Sequence, residues 1–232
     1  MSEPSGVHHL ARAPRLLWVE GSPKGERSLS TACASAFLEA TAESQPDVAV
    51  THLDVWRDDL PEFGGEAALA KFAPLFGETL TDEQVGIWQQ VTEQIELVAA
   101  HDAVLVSTPM WNWSVPYRLK QWIDIIVQPL ASFTLDADLR HVGVLGVGKP
   151  AQLILTRSSA YDGRAPELED HQQPYLEFLF GSMLGFELAE SVVIEPTTAW
   201  TPQEREEIAA RAVELATEAG RRFRINSTTG QA

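Results

Sequence analysis

The segment from Leu16 to Leu38 places the strongest constraint on how this chain folds. Leu16 to Glu20 is apolar up to its last residue, which is typical of a strand covered on both faces, as in parallel sheets. A loop with the hydroxyl groups of Ser22, Ser28 and Ser30 follows, and the small and apolar residues after it predict a helix. Such a loop directs backbone N–H groups and the positive end of the helix dipole at one spot, so the segment predicts an anion site.

The loop composition favours a phosphate monoester as the anion. The loop does not end in the Gly-Lys-Ser/Thr sequence that cradles the phosphates of ATP or GTP. It also lacks the G-x-G-x-x-G spacing that lets a dinucleotide pyrophosphate approach the backbone. A simpler interpretation stays open, in which Ser28 only caps the helix and the other serines are solvated turn residues.

Length and charge predict one domain and exclude several kinds of partner. The chain has 232 residues, 44% of them hydrophobic, which is enough for one sizeable core. We assign the domain to residues 15–224 and predict flexible termini at residues 1–14 and 225–232. The formal net charge of −16 disfavours nucleic acid and anionic membrane surfaces through long-range repulsion. Local groups would have to hold a bound phosphate against this field.

The cysteine content and the hydropathy pattern predict a soluble cytoplasmic protein. Cys33 is the only cysteine, so we expect no intrachain disulfide and no thiolate metal cluster, and we predict no metal site. Residues 1–14 contain no apolar signal sequence, and no later apolar run reaches membrane length.

The pattern of apolar runs predicts an α/β fold with a doubly wound parallel sheet of five strands in the order 2-1-3-4-5. The strands after the first are predicted at Val48–Val55, Ala103–Ser107, Ala151–Thr156 and Glu190–Ile194. Capping patterns and apolar periodicity predict the later helices at 82–101, 116–127, 168–184 and 202–223. Between these elements we predict irregular chain at Phe133, a short hairpin at His141–Gly148, and an insertion at Glu62–Leu80 that covers the site or a partner subunit.

A second loop, Pro109 to Pro116, faces the serine loop in this topology. Its prolines and large side chains interrupt regular structure directly after a strand, so the loop is predicted to be rigid. Ligands bind at the carboxyl ends of the strands in doubly wound sheets, at the point where the strand order reverses. Trp111 and Trp113 offer apolar area there, and Asn112 can both donate and accept hydrogen bonds. An alternative is that the tryptophans only close the top of the core.

With the loops so placed, the chain resembles the FMN-dependent NADH-azoreductases and quinone reductases, which have the flavodoxin-like fold. The resemblance runs from about Arg15 to Phe223 and rests on three loops. The first is a serine followed six and eight residues later by serine, and the second is a Pro-Met-aromatic-Asn-aromatic segment, here Pro109–Trp113. The third is a Ser/Ala-Arg-Gly-Gly loop after strand four, which falls on Thr156–Ser159 with serines in place of both glycines. This departure bears on how closely the backbone can approach a flavin.

The resemblance implies roles for residues in each loop. It implies that the first loop, with the start of its helix, holds the FMN phosphate, that the second lines the isoalloxazine edge, and that the third reaches the pyrimidine side of the ring. Phe133 matches a family aromatic residue that lines the substrate space. The implied cofactor-binding residues are Ser22, Ser28, Leu29, Ser30, Met110, Trp111, Asn112, Trp113, Thr156, Arg157, Ser158 and Ser159.

The resemblance also implies the activity. An FMN-dependent oxidoreductase would take a hydride from NADH or NADPH onto bound FMN and then reduce a quinone or an aromatic azo compound, in a ping-pong sequence. The cofactor would carry the chemistry, so no catalytic side chain is required. Two alternatives stay open: an NAD(P)H:FMN reductase that serves a partner protein, and a non-catalytic flavodoxin-like electron carrier. Family members are usually homodimers whose site is completed by the second subunit, so a homodimer is expected.

Overall fold

The computed structural model of the chain describes residues 12–161, 163 and 169–226. Its main sheet is parallel and has the predicted doubly wound order, with the fifth position occupied by two short strands that both pair with β6. The strands of this sheet are β1 (Arg15–Glu20), β2 (Ala49–Asp54), β3 (Ala103–Pro109), β6 (Pro150–Thr156), β7 (Glu187–Leu188) and β8 (Val192–Ile194).

Helices cover both faces of the sheet because the central strands are apolar on both sides. Successive side chains of a strand point to opposite faces. Leu16 and Leu105 therefore pack in one core with α1 and α6, whereas Leu17 and Val104 pack in a second core with α3 and α4. The helices are α1 (Leu29–Ser44), α2 (Gly65–Phe76), α3 (Asp82–Ala99), α4 (Tyr117–Ile126), α5 (Gln173–Glu177) and α6 (Pro202–Arg222).

The helix boundaries follow local chemistry. Thr81 and Gln84 form the predicted capping box of α3, and Thr201 and Glu204 form that of α6, with proline in its first turn. In α6, Gly220 lies so close to α1 that a Cβ there would be 2.3 Å from the carbonyl oxygen of Phe37. This contact explains why a helix interior contains a glycine, the residue that otherwise weakens it.

The end of the sheet differs from the prediction. The predicted strand Glu190–Ile194 is shorter, Val192–Ile194, and Glu187–Leu188 forms an additional strand. The predicted helix at 168–184 begins only at Gln173 and continues as a π-helical turn over Phe178–Met183. Its predicted first residue lies outside the described residues. The prediction assigned one strand to a single apolar run, whereas in the structure two short strands pair with opposite halves of β6. Tertiary pairing thus decides the strand bounds here.

Two further segments correct the prediction. Phe133, predicted in irregular chain, begins a short strand β4 (Phe133–Leu135) that pairs antiparallel with β5 (His141–Gly143). The predicted hairpin at His141–Gly148 is therefore wrong, because its first residues pair with the preceding segment. The insertion after β2 contains α2, which packs on α3.

The described ends of the chain are tied to the domain. The Arg12 guanidinium forms two hydrogen bonds of 2.7 and 2.6 Å with the Asp102 carboxylate, and the buried Ile225 donates its backbone N–H to Gln45 at 2.9 Å. Packing therefore includes residues at both predicted termini, whose remaining parts, 1–11 and 227–232, lie outside the described residues. Within the part of the chain that the structure describes, no helix combines the length and apolarity needed to cross a bilayer.

Candidate functional site

The serine loop lies between the carboxyl end of β1 and the start of α1. Ser22, Ser28 and Ser30 are all buried. Ser28 is the N-cap of α1, where its Oγ accepts the Thr31 N–H at 3.4 Å, and it also lies 3.0 Å from the Ser30 Oγ. A 3₁₀ turn over Gly25–Arg27 bends the loop back to this cap. The loop thus gathers hydroxyl groups at the positive end of a long helix, which is an arrangement suited to an anion.

The loop and the end of β3 are held against each other. The Gly21 N–H donates to the Ser107 carbonyl at 2.8 Å, which continues the β1–β3 ladder by one residue. A Cβ on Gly21 would lie 2.7 Å from the Thr108 Oγ1, so only glycine permits this approach. As the sequence predicts, the serine loop and the second loop share one edge of the sheet.

The second loop turns sharply directly after β3. Asn112 has φ 46° and Trp113 has φ 65°, a left-handed pair that matches a tight hairpin-like turn. Trp111 and Ser114 close this turn with two backbone hydrogen bonds of 3.0 Å. The Met110 N–H donates to the Thr156 carbonyl at 2.8 Å, which brings the second loop to the third. Trp113 stays half exposed at the tip.

An aromatic cluster that the sequence analysis did not identify joins the first and second loops. Trp56 follows β2 and donates its indole N–H to the Gly21 carbonyl at 3.1 Å. Its ring centroid lies 5.4 Å from that of Trp111 and 5.0 Å from that of Tyr117. The signal available in the sequence was the position of Trp56, since a residue directly after β2 reaches the same sheet edge.

The third loop places its arginine differently from its serines. The Arg157 side chain is buried and its guanidinium contacts protein groups: Asp170 at 2.9 Å, Gln173 at 3.0 Å, Glu195 at 3.1 Å and Gln172 at 3.2 Å. Ser158 and Ser159 are exposed, whereas Thr156 is buried at the end of β6.

The Arg157 side chain and the backbone of the third loop together contact two neighbouring segments, residues 170–173 and residues 195–198. The Ser158 carbonyl accepts a hydrogen bond of 2.8 Å from the Thr198 hydroxyl, and the Thr197 N–H donates to the Arg157 carbonyl at 2.8 Å. Arg157 therefore shapes the loop through its side-chain contacts, and Ser158 and Ser159 remain exposed.

Phe133 is separated from the three loops. It lies on β4, which follows α4, and α4 begins beside the second loop at Tyr117. Ten helical residues span about 15 Å. The neighbouring strand β5 lies near Gly185 at the opposite sheet edge, since a Cβ on Gly143 would be 2.3 Å from the Gly185 nitrogen. The structure thus brings the three loops of one chain together but not its Phe133.

A cavity of about 1080 Å³ adjoins the second loop between α4 and the segment that leads into α5. The Tyr175 phenol lies in its wall, and its pKa is raised to about 12 by burial and by the nearby Asp124 carboxylate, so this hydroxyl stays protonated at neutral pH. The residues that line the cavity are Leu60, Glu62, Phe63, Gly64, Ser114, Val115, Tyr117, Arg118, Lys120, Gln121, Asp124, Asp170, His171, Pro174 and Tyr175.

Comparison with known proteins identifies the family. The sequence profile described as "Flavodoxin-like fold" matches residues 14–219. The chain is 40% identical over 202 residues to an FMN-dependent NADH:quinone oxidoreductase of Nitratidesulfovibrio vulgaris, covering 87% of this chain and 95% of that protein. The chain belongs to the flavodoxin-like family that contains the FMN-dependent NADH:quinone oxidoreductases. An FMN-dependent NADH:quinone oxidoreductase of Pseudomonas syringae pv. tomato is 38% identical over 187 residues, covering 79% of this chain and 87% of that protein.

Solved structures of the family have the same architecture. The azoreductase from Bacillus anthracis str. Sterne superposes with a TM-score of 0.79 at 26% identity, covering 90% of this chain and 100% of that chain. An FMN-dependent NADH-azoreductase from Bacillus anthracis str. Ames Ancestor, solved in complex with FMN, superposes with a TM-score of 0.78 at 21% identity, covering 90% and 98%. The predicted flavodoxin-like fold is therefore confirmed.

Proposed function

We propose that this protein is an FMN-dependent oxidoreductase that uses NADH or NADPH to reduce quinones or aromatic azo compounds. The observation that carries the proposal is the close contact of the serine loop with the end of β3 at Gly21, which puts a phosphate-type anion site and an aromatic loop at one sheet edge. FMN has the matching shape, with one phosphate at one end and a flat ring at the other. The names of the related proteins support this choice of cofactor, donor and acceptor.

The residues at the edge fit the parts of FMN. The buried hydroxyls of Ser22, Ser28 and Ser30 and the first backbone N–H groups of α1, including that of Leu29, would hold the phosphate. The tilted Trp111 ring and the left-handed turn at Asn112 present an apolar surface beside amide groups, as a flavin ring edge requires.

The third loop would complete this site. Met110 and Trp113 flank the turn of the second loop, and Thr156 joins that loop to the third through its carbonyl. Ser158 and Ser159 would then approach the pyrimidine side of the ring, while Arg157 holds their backbone in place. When bound, FMN would supply the acceptance of a hydride and its donation in two half-reactions, a ping-pong order. The loops of the protein would bind and orient the ring.

The test begins with the visible spectrum of the purified protein, in which flavin bands establish the cofactor before any assay. We then expect NADH oxidation that depends on FMN and benzoquinone and gives parallel lines in double-reciprocal plots at several quinone concentrations. Absence of bound flavin together with no NADH oxidation when FMN is added would rule the proposal out. Accumulation of a stable semiquinone on photoreduction, without turnover, would favour an electron carrier.

We further propose a homodimer in which each Phe133 lines the substrate space of the other subunit. Phe133 follows the far end of α4, a helix of about 15 Å that begins beside the second loop, so we infer that it lines the site of a second copy. Exposed apolar side chains surround it on the segment that contains β4 and β5, and such a surface is typical of an interface. These side chains are Leu130, Leu135, Leu139, Val142, Val144 and Val147.

We also propose that the protein acts in the cytoplasm. Cys33 is a free, buried thiol whose pKa burial raises to about 12. A lone thiol of this kind is typical of proteins from reducing compartments.

A further inference from the structure

The serine loop offers a phosphate hydroxyl groups and a helix end, and a further cation would strengthen such a site. A phosphate monoester carries about −1.5 to −2 charges at pH 7, and the whole chain has a formal net charge of −16. Glu20, the last residue of β1, is buried directly before the loop and accepts a hydrogen bond of 2.5 Å from Thr31 in the first turn of α1. A phosphate in this loop would therefore lie near a buried carboxylate, and a helix end carries only about half a charge.

Arg57 lies on the turn that follows β2, and this turn is firmly built. Asp54 accepts the Trp56 N–H at 2.9 Å through its carboxylate and the Arg57 N–H at 3.1 Å through its carbonyl. Asp58 in turn accepts the Asp54 N–H at 2.9 Å. The indole N–H of Trp56 donates to the carbonyl of Gly21 and so anchors the turn to the serine loop. The position of Arg57 relative to the loop is therefore set by backbone contacts.

The guanidinium of Arg57 lies across the loop. Its Nε is 3.5 Å from the Asp54 Oδ2, and its Nη2 is 3.0 Å from the place that a Cβ of Gly25 would occupy. Gly25 has φ 53°, so the loop at this point has a left-handed residue without a side chain, and the space is open to the arginine. The Arg57 side chain is 75% exposed, so the guanidinium donors that face solvent can turn to a ligand.

We propose that Arg57 binds the FMN phosphate as the charged partner of the serine loop. This inference rests on the proposed function and adds to it a residue from outside the three family loops. A guanidinium fork suits bidentate binding of a phosphate. The Asp54 carboxylate holds the guanidinium beside the loop before the ligand arrives, and this placement lowers the entropic cost of binding.

The test compares FMN with riboflavin, which has the same ring and ribityl chain without the phosphate. Dissociation constants of the apoprotein are measured by quenching of flavin fluorescence for the wild type and for Arg57→Gln. We expect FMN to bind about fivefold to tenfold more weakly to Arg57→Gln, and riboflavin to bind both proteins equally. The difference between the proteins should shrink as salt is raised.

Arg222→Gln is the matched control. Arg222 is an exposed arginine near Glu218 at the end of α6, away from the loops and from the β4–β5 segment, and its loss changes net charge by the same amount. We expect FMN affinity to stay within twofold of the wild type. Equal FMN affinity in Arg57→Gln and the wild type, or parallel weakening of FMN and riboflavin, would overturn the role of Arg57. A wild-type protein that binds neither flavin would overturn the proposed function and this inference together.

Discussion

At the residue scale, the serines of the first loop place hydroxyl groups at the start of α1, and we expect them to act on a bound phosphate mainly through these groups. Ser30 and Ser22 are buried, whereas Lys24 and Arg27 lie exposed on the outer side of the loop. Buried hydrogen bonds to a charged group are stronger than attraction by screened surface charges. We therefore expect the serine hydroxyls to contribute more to the affinity for the phosphate than the side chains of Lys24 and Arg27 do.

Replacement of the three serines tests this ranking. Ser22→Ala/Ser28→Ala/Ser30→Ala should weaken FMN binding by about 100-fold, because each lost hydrogen bond to a charged group is worth about 1.5–3 kcal/mol and the effects are not additive. Lys24→Gln/Arg27→Gln should weaken it by less than about fivefold. Equilibrium dialysis with FMN and riboflavin gives both values. The opposite ranking would contradict the account of the loop.

Arg157 is a second residue whose role depends on its partners. Its side chain is 2% exposed, and its guanidinium lies between the Asp170 and Glu195 carboxylates. Arg157→Met should lower the free energy of unfolding by about 3 kcal/mol, because removal of the cation leaves two largely buried carboxylates unpaired. It should also weaken FMN and riboflavin equally, since the third loop meets the ring in the proposed complex.

Urea unfolding and flavin titration measure these two effects of Arg157→Met. Arg222→Met is the control. Arg222 is exposed at the end of α6, and its ion pair with Glu218 is long, at 3.9 Å, and exposed to solvent. This variant should change neither quantity. Selective loss of FMN binding in Arg157→Met would instead place Arg157 at the phosphate.

At the element scale, the packing of α6 on α1 depends on a missing side chain. Gly220→Ala would push a methyl group to within 2.3 Å of the Phe37 carbonyl oxygen and 3.0 Å of the Ala40 Cβ. The helices must then separate, and overpacking of this kind costs about 1–3 kcal/mol. We expect a loss of about 2 kcal/mol in the free energy of unfolding and a lower Tm.

Gly86 in α3 is the matched control for Gly220. Apart from its chain neighbours and the adjacent backbone of α3, no atom lies within 4 Å of the position that its Cβ would take. Gly86→Ala should therefore raise the free energy of unfolding by about 0.5–1 kcal/mol through helix propensity alone. Denaturant unfolding of both variants decides the matter. A stabilised Gly220→Ala protein would show that α1 and α6 can move apart without loss.

At the scale of the whole molecule, several exposed apolar side chains lie on the surface that contains β4 and β5. Leu135→Glu places a charge on that surface, where Leu135 is about half exposed in the isolated chain. In the proposed dimer the charge would be buried, so the variant should be monomeric at micromolar concentration and should reduce quinone slowly while it still binds FMN.

Light scattering and steady-state kinetics measure the two consequences of Leu135→Glu. Leu215→Glu is the control, because Leu215 is similarly exposed but lies on α6 on the other face of the sheet. It should leave the mass and the turnover unchanged. A wild-type protein with the mass of a monomer would refute the dimer.

The sequence by itself predicted the parts of this protein that depend on local chemistry. Continuous apolarity predicted the central buried strands, capping boxes predicted the starts of α3 and α6, and the order of the elements predicted the doubly wound sheet. The serine loop and the Pro109–Trp113 loop were placed at one edge because parallel strands end there together. These signals act within a few residues and are therefore readable along the chain.

Only the tertiary structure decided which side chains meet across elements. Several contacts join residues that are separated in sequence: the ion cluster of Arg157, the contact of Trp56 with Gly21 and the position of Arg57 over Gly25. The placement of Phe133 beyond α4, apart from the loops of its own chain, also depends on the fold. The pairing of β4 with β5 and of two short strands with β6 is of the same kind. Side-chain direction, register and close approach arise from packing, and one sequence pattern is compatible with several such arrangements.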